Sequence, residues 1–495
     1  MAFIDDLRDA LRRAPHEIIM DFGGRFFSRG EVAALAKRIG TLLDEAGVPF
    51  DASIGIVMRN RPLHVAAVLG LITAGRPLTS IYALQSPALL ARDIAETRFA
   101  AIVADVADLS PEAIGAVKSC GGVAIALDLA AEPSIACQRA CTRFLQEGSY
   151  HRIDGEPGLE LLSSGTTGKP KRIRFPFHML VRSVETVRAG VSAGPVPPDI
   201  CTWSFAGIAM GNIVANIMIG RYMALIDRFN VPDWIEAVRR LRPAYVTGPP
   251  AVAQMLVDAD VAPEDLASIS YFYGGSAPMP VELQRKLRDR YGIAVIWAYG
   301  ATEFCGTIAS WSLDLYRQFG EAKMGSMGRP LPGVQVRIVD QVTGEPLPHD
   351  EVGFLEAIVP EVGKDWIRTS DLASIDADGF IFHRGRGDGA IMRGGFKILP
   401  ETIAAALAKH PAVLDSGVVG LADSRLGQVP VAAVQLRSGA SAVSPQALRD
   451  FLRDELPATY IPSEIRIVPS LPRTASMKVD LGAVRALFSE AASAA

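Results

Sequence analysis

The feature that most constrains the fold is an alternation of helical segments with short, β-rich segments. In the first 150 residues, Arg29 to Ala46 and Pro62 to Ala74 have helical spacing, whereas Ala52 to Met58 and Ala100 to Ala104 are typical of strands. The alternation resumes between residues 178 and 247. Strands that alternate with helices usually pair in parallel, because each helix returns the chain to the same edge of the sheet. The sequence therefore predicts an α/β fold.

The character of the sequence changes twice toward its C-terminus. From about residue 325, short strand-like runs are separated by turn signals such as Asp378-Gly379, which indicates a β subdomain. In the last hundred residues, helical segments such as Pro400 to Ala408 lie among strand-like runs, which favours a compact α+β unit. We predict an N-terminal domain over residues 1–387, with its β subdomain at about 325–387, and a C-terminal domain over residues 388–495.

Length and composition exclude several classes of protein. A chain of 495 residues with 49% hydrophobic residues can bury large cores in two or three domains. The formal net charge of −4 provides no basic field for nucleic acid. The five cysteines form no CxxC pair, which fits reduced thiols, and the seven histidines lack HxxxH spacing, so no zinc site is expected.

Two segments are candidates for a targeting signal or a membrane span. The N-terminal segment MAFIDDLRDALRRAPHE has mixed charge and helical spacing, unlike the uninterrupted apolar core of a signal peptide. The most apolar run, Phe205 to Gly220, contains Asn212 and Asn216 and is too short to span a bilayer, so we predict a buried helix there. We expect a cytoplasmic protein without a membrane span.

A loop rich in glycine, hydroxyl and lysine side chains lies between two strand-like runs in LLSSGTTGKPKRIRF, residues 161–175. Glycines allow several backbone N–H groups to converge, and the hydroxyls and lysines add donors and charge, which suits a polyphosphate. It is not a Walker A loop, because Gly165 and Gly168 are too close and Pro170 follows Lys169. A polar hairpin turn is the alternative interpretation. The candidate phosphate-binding residues are Ser163, Ser164, Gly165, Thr166, Thr167, Gly168 and Lys171.

The segment SSGTTGKPK resembles the phosphate loop of the adenylate-forming enzymes, which include acyl- and aryl-CoA synthetases, peptide-synthetase adenylation domains and firefly luciferase. Other motifs follow in the family's order, over roughly residues 25–485: YFYGGSAPM, YGATE, RTSD, GRGD, GGFK and PRTASMK. The resemblance implies a large N-terminal domain of α/β subdomains plus a β subdomain, followed by a small mobile α+β lid domain. The hinge between them would be Asp388.

The motif YGATE follows a strand-like run, at the edge of an α/β sheet where ligands gather. Tyr299 offers a plane for adenine, Thr302 a donor for the α-phosphate, and Glu303 a hard oxygen ligand for Mg²⁺. Asp371 can accept both ribose hydroxyls, and Arg386 can donate to the ribose or a phosphate. A strand-end turn and a surface Asp–Arg pair are the alternatives. With the phosphate loop, the ATP-binding set that the resemblance implies is Gly274, Gly275, Ser276, Tyr299, Gly300, Ala301, Asp371 and Arg386.

The resemblance also assigns catalytic and thiol-binding residues. Lys478 would be the catalytic lysine, acting with Thr302 and Glu303, although a lysine near a C-terminus is more commonly a solvated surface charge. The glycine-rich segment that would form the CoA or thiol tunnel comprises Gly394, Gly395, Phe396 and Lys397. Four positions depart from the family's usual residues: Arg172, Met392, Thr402 and Met477.

The resemblance places the substrate pocket at Trp203, Phe205, Ala206, Gly207, Gly211, Gly275, Gly300 and Cys305. Ala206 stands where amino-acid-activating relatives carry an aspartate, so we expect an apolar aryl, alicyclic or medium-chain acid. The predicted function is an ATP-dependent acid–CoA ligase that uses ATP, Mg²⁺ and coenzyme A, acting as a monomer or a homodimer.

Three alternatives stay open at this point. The acceptor of the acyl group could be the phosphopantetheine of a carrier protein, because both thiols end alike. The four departures from the family's residues would also fit a non-catalytic nucleotide-binding relative. An oxygenase like luciferase is the third alternative.

Overall fold

The computed structural model describes residues 2–83, 85–138, 141–145, 148–163, 171–189, 196–276, 279–304, 306–387, 389–437, 443–472 and 479–489. Within these ranges, the side chains of eight residues are outside the description: Leu162, Ser163, Lys171, Thr186, Ala189, Thr302, Arg386 and Ser489.

The first part of the chain builds the predicted parallel α/β sheet. Its elements are α1 (Ala2–Arg12), β1 (Ile18–Phe22), β2 (Arg25–Ser28), α2 (Arg29–Glu45), β3 (Ile54–Met58), α3 (Pro62–Thr73), β4 (Leu78–Tyr82), α4 (Pro87–Thr97), β5 (Ala101–Asp105), α5 (Pro111–Ser119), β6 (Val123–Leu127), β7 (Ile135–Cys137), β8 (Gly158–Ser163), β9 (Lys171–Pro176) and α6 (Val181–Ala189). Seven strands form one sheet in the order β7-β6-β5-β3-β4-β8-β9. The five central strands are parallel, whereas β7 and β9 pair antiparallel at the two edges.

The serines that precede the helices explain where these begin. Ser28 and Glu31 form a capping box at the start of α2, in which each side chain bonds the other residue's backbone N–H. Ser86 and Ser110 cap α4 and α5, and in both cases proline occupies the first helical position.

The middle of the chain adds two further sheets. Its elements are β10 (Asp199–Cys201), α7 (Met210–Ile219), β11 (Met223–Leu225), α8 (Val231–Leu241), β12 (Tyr245–Gly248), α9 (Pro250–Asp258), β13 (Tyr271–Gly274), α10 (Val281–Tyr291), β14 (Ala294–Ala301), β15 (Gly306–Ser310), α11 (Leu313–Phe319) and β16 (Arg329–Pro330). One sheet has the order β10-β11-β1-β2 and the other β12-β13-β14-β15-β16. In the second sheet, β14 and β15 form an antiparallel hairpin that carries the YGATE segment.

The predicted β subdomain is an antiparallel sheet in the order β17 (Gln335–Val339), β18 (Gly353–Ile358), β19 (Ile367–Ile375) and β20 (Ile381–Arg386). The turn between β19 and β20 contains Asp378 and Gly379, as the sequence predicts. However, β16 pairs with β15 and therefore belongs to the preceding sheet.

The C-terminal part has its own sheet and core. It comprises β21 (Ile391–Arg393), β22 (Phe396–Ile398), α12 (Pro400–Leu407), β23 (Val413–Asp423), β24 (Gly427–Leu436), α13 (Pro445–Glu455), β25 (Glu464–Val468) and α14 (Leu481–Ser489). The strands are ordered β22-β21-β24-β23, and β25 pairs with β24. Buried residues from this segment alone, among them Ile403, Leu407 and Leu448, form a separate cluster, as expected of a domain.

The apolar run at residues 205–220 is the clearest difference from the sequence-based expectation. Only Met210–Ile219 is helical, and the preceding residues form a turn in which the Met210 amide donates to the Gly207 carbonyl. Among the described residues, no helix combines the length and apolarity that a membrane span requires. Four cysteines lie in the described ranges, and all four are free: Cys120, Cys137, Cys141 and Cys201.

Candidate active site

The two strands that flank the glycine-rich loop are neighbours in the seven-stranded sheet. β8 and β9 pair antiparallel with Ser163 opposite Lys171, so the loop between them joins two adjacent strand ends. This arrangement confirms the two predicted strands on either side of the segment. Ser164, Gly165, Thr166, Thr167 and Gly168 lie outside the described residues, as do the side chains of Ser163 and Lys171.

The glycines that end β13 are required by a close contact with the next strand. A Cβ at Gly274 would overlap the indole ring of Trp297, and one at Gly275 would lie 2.9 Å from the carbonyl oxygen of Ala298. Gly274 is therefore needed because the buried ring of Trp297 packs directly against its backbone. The next residue, Ser276, has a φ of 65°, which is unusual for a residue with a side chain.

A tyrosine and an aspartate from two different sheets meet at the candidate nucleotide site. The hydroxyl of Tyr299 donates to Oδ2 of Asp371 over 2.6 Å. Asp371 is buried, and its Oδ1 lies 3.6 Å from Nε2 of His383. Asp371 also faces Arg386 across the β19–β20 pair, so the structure brings together three residues that the sequence assigned to ATP. The side chain of Arg386 lies outside the described residues.

The candidate metal ligand lies on a short turn between β14 and β15. Thr302–Phe304 form one turn of 3₁₀ helix, in which Phe304 is buried and Glu303 is exposed. Gly300 and Ala301 form the end of β14, and a Cβ at Gly300 would overlap the carbonyl oxygen of Gly306. Glycine is therefore needed to close this hairpin. The YGATE segment thus includes the strand end instead of following it.

Glu303 is an exposed carboxylate, which suits a magnesium site that is completed by substrate and water. Within the described ranges, no group of three or more His, Cys, Asp or Glu side chains could hold a metal ion. A single exposed carboxylate is nevertheless suited to Mg²⁺, which commonly takes one or two carboxylates and completes its coordination with water and substrate phosphates. Glu303 is such a carboxylate.

Two polar residues that sequence analysis missed hold the candidate acyl-pocket loop in place. Nδ2 of Asn60 donates to the carbonyl of Trp203 over 2.7 Å, and Oδ1 of Asn60 accepts from the amide of Phe205 at 3.1 Å. Ser80 on β4 donates to the carbonyl of Ala206 over 2.8 Å. Asn60 follows the carboxyl end of β3, the edge of a parallel sheet where ligands usually bind, so its position in the sequence could have indicated it. Ser80 lies inside β4, and nothing in the local sequence sets it apart from other strand residues.

The glycines of this loop have different surroundings. A Cβ at Gly207 would meet only the hydroxyl of Tyr82, at 3.6 Å. A Cβ at Gly211 would overlap Ser183 of α6, so Gly211 is explained by close packing of α6 on α7 and offers no opening on that side. Phe205 and Ala206 are buried, whereas Trp203 is half-buried.

The glycine-rich segment of the C-terminal domain is a tight hairpin that contacts the N-terminal domain. Gly394 and Gly395 form the turn between β21 and β22, with φ values of 56° and 89°, and tight hairpin turns of this kind need glycine. A Cβ at Gly395 would lie 2.7 Å from Oγ of Ser276, and Nζ of Lys397 donates to Oγ of Ser370 over 3.2 Å. The hairpin therefore touches both the glycine edge of β13 and the strand that carries Asp371.

A small crevice with a cavity volume of about 20 Å³ lies beside this hairpin, between the two domains. It is lined by residues from α9, α10 and the C-terminal domain, including Pro250, Gln254, Leu283, Gly394, Arg425 and Leu426. The remaining hairpin residue, Phe396, packs edge-on against Tyr82.

A charged contact on the surface also joins the two domains. The guanidinium of Arg92 on α4 donates to the carbonyl of Glu455 over 3.2 Å and lies 3.6 Å from its carboxylate. Lys409, from the same domain as Glu455, contacts that carboxylate at 2.5 Å. The hydrogen bond from Lys409 lowers the pKa of Glu455, and the charge of Arg92 lowers it further.

Four residues depart from those usual in the resembled family, and the structure describes three of them. Arg172 donates to Asp93 over 2.7 Å, and its guanidinium lies over the ring of Phe99. The amide of Met392 donates to Oε1 of Gln428. Thr402 lies in the first turn of α12. Met477 lies outside the described residues. Besides the phosphate-loop residues already named, three further predicted site residues also lie outside them: Cys305, Asp388 and Lys478.

The fold and the site together define an α/β protein with a small domain docked over a candidate nucleotide site. The AMP-binding enzyme family model matches residues 7–362, and the model of the AMP-binding enzyme C-terminal domain matches residues 402–478. The chain therefore belongs to the AMP-binding enzymes of the adenylate-forming superfamily, as the sequence motifs predict.

Individual relatives are more distant. A sulfoacetate–CoA ligase of Cupriavidus necator is 30% identical over 342 residues, which span 65% of this chain and 65% of the ligase. A 2-succinylbenzoate–CoA ligase of Bacillus subtilis is 29% identical over 67% of this chain and 69% of its own length. Among solved structures, the amide bond synthetase McbA of Marinactinospora thermotolerans superimposes with a TM-score of 0.84 at 24% identity, covering 99% of this chain and 100% of McbA. This likeness shows the fold.

Proposed function

We propose that this protein is an ATP-dependent acid–CoA ligase, which forms an acyl-adenylate and pyrophosphate and then transfers the acyl group to CoA with release of AMP. The observation that carries the proposal is the position of the Gly394–Lys397 hairpin. It contacts Ser276 and Ser370, beside the linked pair Tyr299 and Asp371. Candidate thiol residues and candidate nucleotide residues therefore lie close together, which supports a proposal of two half-reactions on one intermediate.

In the first half-reaction, the substrate carboxylate attacks the α-phosphate and pyrophosphate leaves. No general base is needed, because a carboxylic acid is already ionised at neutral pH. Negative charge grows on the α-phosphate oxygens, where Lys478 and Thr302 would stabilise it as preorganised donors. Asp371 would hold the ribose hydroxyls, and the loop from Ser163 to Lys171 would hold the outer phosphates. A bound Mg²⁺ would neutralise phosphate charge, and Glu303 is the residue that would hold it.

The acyl group is proposed to be apolar. The segment from Trp203 to Gly211 contains no charged residue, and Phe205 and Ala206 are buried. An amino group would lose its hydration there without gaining a counter-ion, which is unfavourable. This supports an aryl, alicyclic or medium-chain monocarboxylic acid. The two curated relatives are named for sulfoacetate and 2-succinylbenzoate, so acids with a second charged group belong in any test.

The proposed acceptor is CoA. The support for a thiol acceptor is the Gly394–Lys397 hairpin, which contacts Ser276 and Ser370 of the N-terminal part of the chain. A carrier-protein phosphopantetheine carries the same thiol and would meet the same hairpin. A non-catalytic role is less well supported, because Tyr299, Asp371 and the hairpin glycines come together as the chemistry requires.

The decisive experiment is mass spectrometry of the products formed from a panel of carboxylic acids with Mg-ATP, with and without CoA. The panel should contain apolar acids, dicarboxylic and sulfonated acids, and amino acids. An acyl-CoA product from an apolar acid is the expected result. Acyl-AMP that accumulates without thioester would instead favour a carrier protein as acceptor, and a preference for an amino acid would contradict the proposed pocket. If no acid yields AMP, the ligase proposal fails.

A further inference from the structure

Tyr82 lies between two candidate functional segments, the acyl-pocket loop and the Gly394–Lys397 hairpin, although no sequence motif marks it. It is the last residue of β4, next to Met58 in the parallel sheet. On one side, its hydroxyl is the nearest atom to the position that a Cβ of Gly207 would take, at 3.6 Å. Two residues earlier on the same strand, Ser80 holds the carbonyl of Ala206. The end of β4 therefore supports the acyl-pocket loop.

The other side of Tyr82 contacts the C-terminal domain. Its ring meets the ring of Phe396 edge-on, with centroids 5.8 Å apart and planes at 67°. Tyr460 contacts the same hairpin, since its hydroxyl donates to the carbonyl of Lys397 over 3.3 Å. Burial raises the pKa of Tyr82 and also that of Tyr460, and the charge interaction with Tyr82 raises the pKa of Tyr460 further. Tyr82 is half-buried and lies between the docked domain and the loop.

We propose that Tyr82 is a positioning residue for acyl transfer to the thiol, which seats the Gly394–Lys397 hairpin against the acyl-pocket loop through its ring contact with Phe396. The inference rests on the proposed function for the identity of the reaction, but the docking contact is independent of the substrate. Because the proposed role of the hairpin is to admit the thiol, we expect the ring contact to matter more for acyl transfer than for adenylation.

The energetics of aromatic pairs set the size of the expected effect. An edge-on pair contributes enough to change an equilibrium by about three- to tenfold beyond area burial. Misplacement of reacting groups by about 1 Å can cost about 10²-fold in rate. Because the ring makes the contact with Phe396, and the hydroxyl of Tyr82 makes no hydrogen bond within the described residues, phenylalanine should replace tyrosine with little loss.

The first test separates the two half-reactions. Adenylation is measured by pyrophosphate exchange, and transfer by thioester formation from supplied acyl-AMP and CoA. Tyr82→Ala should lower the ratio of transfer to exchange about tenfold or more, whereas Tyr82→Phe should keep that ratio within about twofold of the wild type. Phe396→Ala should match Tyr82→Ala, and the double variant should be no worse than either single variant, because one contact is removed in all three.

The chain offers a matched control. Tyr150 packs edge-on against Phe144 at 5.6 Å and 89°, within the N-terminal domain and away from the hairpin. Tyr150→Ala removes a similar pair and should leave the ratio of transfer to exchange unchanged. If Tyr82→Ala slows both half-reactions equally, or if Tyr82→Phe is as slow in transfer as Tyr82→Ala, the ring-contact proposal is wrong.

A second test needs no substrate. Amide hydrogen exchange of residues 391–398 should become faster in Tyr82→Ala and stay unchanged in Tyr150→Ala, since only the former releases the hairpin. Unchanged exchange in Tyr82→Ala would overturn the inference. If the wild-type protein formed no thioester from any acid, the proposed function would fail, and hydrogen exchange would still decide the role of Tyr82.

Discussion

The hydroxyl of Tyr299 donates to Oδ2 of Asp371 over 2.6 Å, although the two residues are 72 positions apart and lie in different sheets. Tyr299 lies near the end of β14 and Asp371 on β19, so the contact joins the middle of the molecule to the β subdomain. A carboxylate has about four lone-pair sites, so Asp371 can accept this bond and still accept from two ribose hydroxyls. The tyrosine therefore fixes the orientation of the carboxylate, which would favour the proposed contact with the ribose.

Replacing Tyr299 with phenylalanine should weaken ATP binding while keeping the aromatic plane. The lost bond reaches a buried charged acceptor, so we expect the KM for ATP to rise roughly tenfold, with a smaller change in kcat. Steady-state pyrophosphate exchange at varied ATP measures both. Tyr222→Phe is the matched control, because Tyr222 donates to Asp21 over the same 2.6 Å in another sheet. An unchanged KM in Tyr299→Phe would show that the bond does not serve nucleotide binding.

Gly274→Ala should destabilise the protein through a steric conflict with Trp297. The indole is buried, so it cannot swing into solvent to admit the new methyl group. Overpacking of this kind typically costs about 1–3 kcal/mol. Gly115→Ala is the control, since Gly115 lies within α5 with open space around it, and alanine there should be neutral or stabilise by up to about 1 kcal/mol. Urea unfolding midpoints compare them, and equal midpoints would mean that the strand can shift to accommodate the methyl group.

Contiguous residue patterns were sufficient to predict some local structure. Strands β8 and β9 flank the segment that the sequence proposes as a phosphate loop from its adjacent glycines, hydroxyls and lysines. The adjacent glycines Gly394 and Gly395 form a hairpin turn, and their thiol-binding role stays a prediction. Both are local properties of the chain.

Contacts between distant residues could not be predicted in this way. Asn60 and Trp203 are 143 positions apart, and nothing in the pattern around either residue indicates the other. The same holds for Arg92 and Glu455, which belong to different domains. The predicted buried helix is present but begins at Met210 instead of residue 205 for a related reason, because Asn60 and Ser80 hold residues 203–206 in a non-helical conformation that local periodicity does not reveal.

Arg92→Ala should weaken docking of the C-terminal domain in a salt-dependent manner. An exposed ion pair contributes about 0–1 kcal/mol, so we expect transfer from acyl-AMP to CoA to slow by about two- to fivefold at low salt. The difference should shrink at about 1 M salt, where screening is strong. Lys409→Ala is the control, because it removes a partner of Glu455 within the same domain. Equal effects from both variants, or no salt dependence, would contradict an interdomain role for Arg92.

The last prediction concerns His64 on α3, whose two ring nitrogens are buried and have no hydrogen-bond partner among the described residues. Burial is the main cause that lowers its pKa from 6.5 to about 3, and the charges of Arg61 and Arg59 oppose those of Asp105 and Asp227. As the pH falls, His64 therefore becomes protonated near pH 6.5 in the unfolded chain and only near pH 3 in the folded chain. The contribution of His64 to the free energy of unfolding is therefore fully present above pH 6.5 and is lost as the pH falls from 6.5 to about 3.

Replacing His64 with leucine removes this proton linkage and leaves an apolar side chain at an apolar position. The wild-type free energy of unfolding should fall between pH 7 and pH 5 more steeply than that of His64→Leu, by up to about 1.4 kcal/mol per pH unit for one proton. Urea titrations at several pH values measure the slopes, and the slopes matter more than the absolute stabilities because the substitution also changes packing. His178→Leu, at an exposed position, is the control and should keep most of the wild-type slope. Parallel curves for the wild type and His64→Leu would show that water or a shifted backbone solvates the ring and that the histidine is not held neutral.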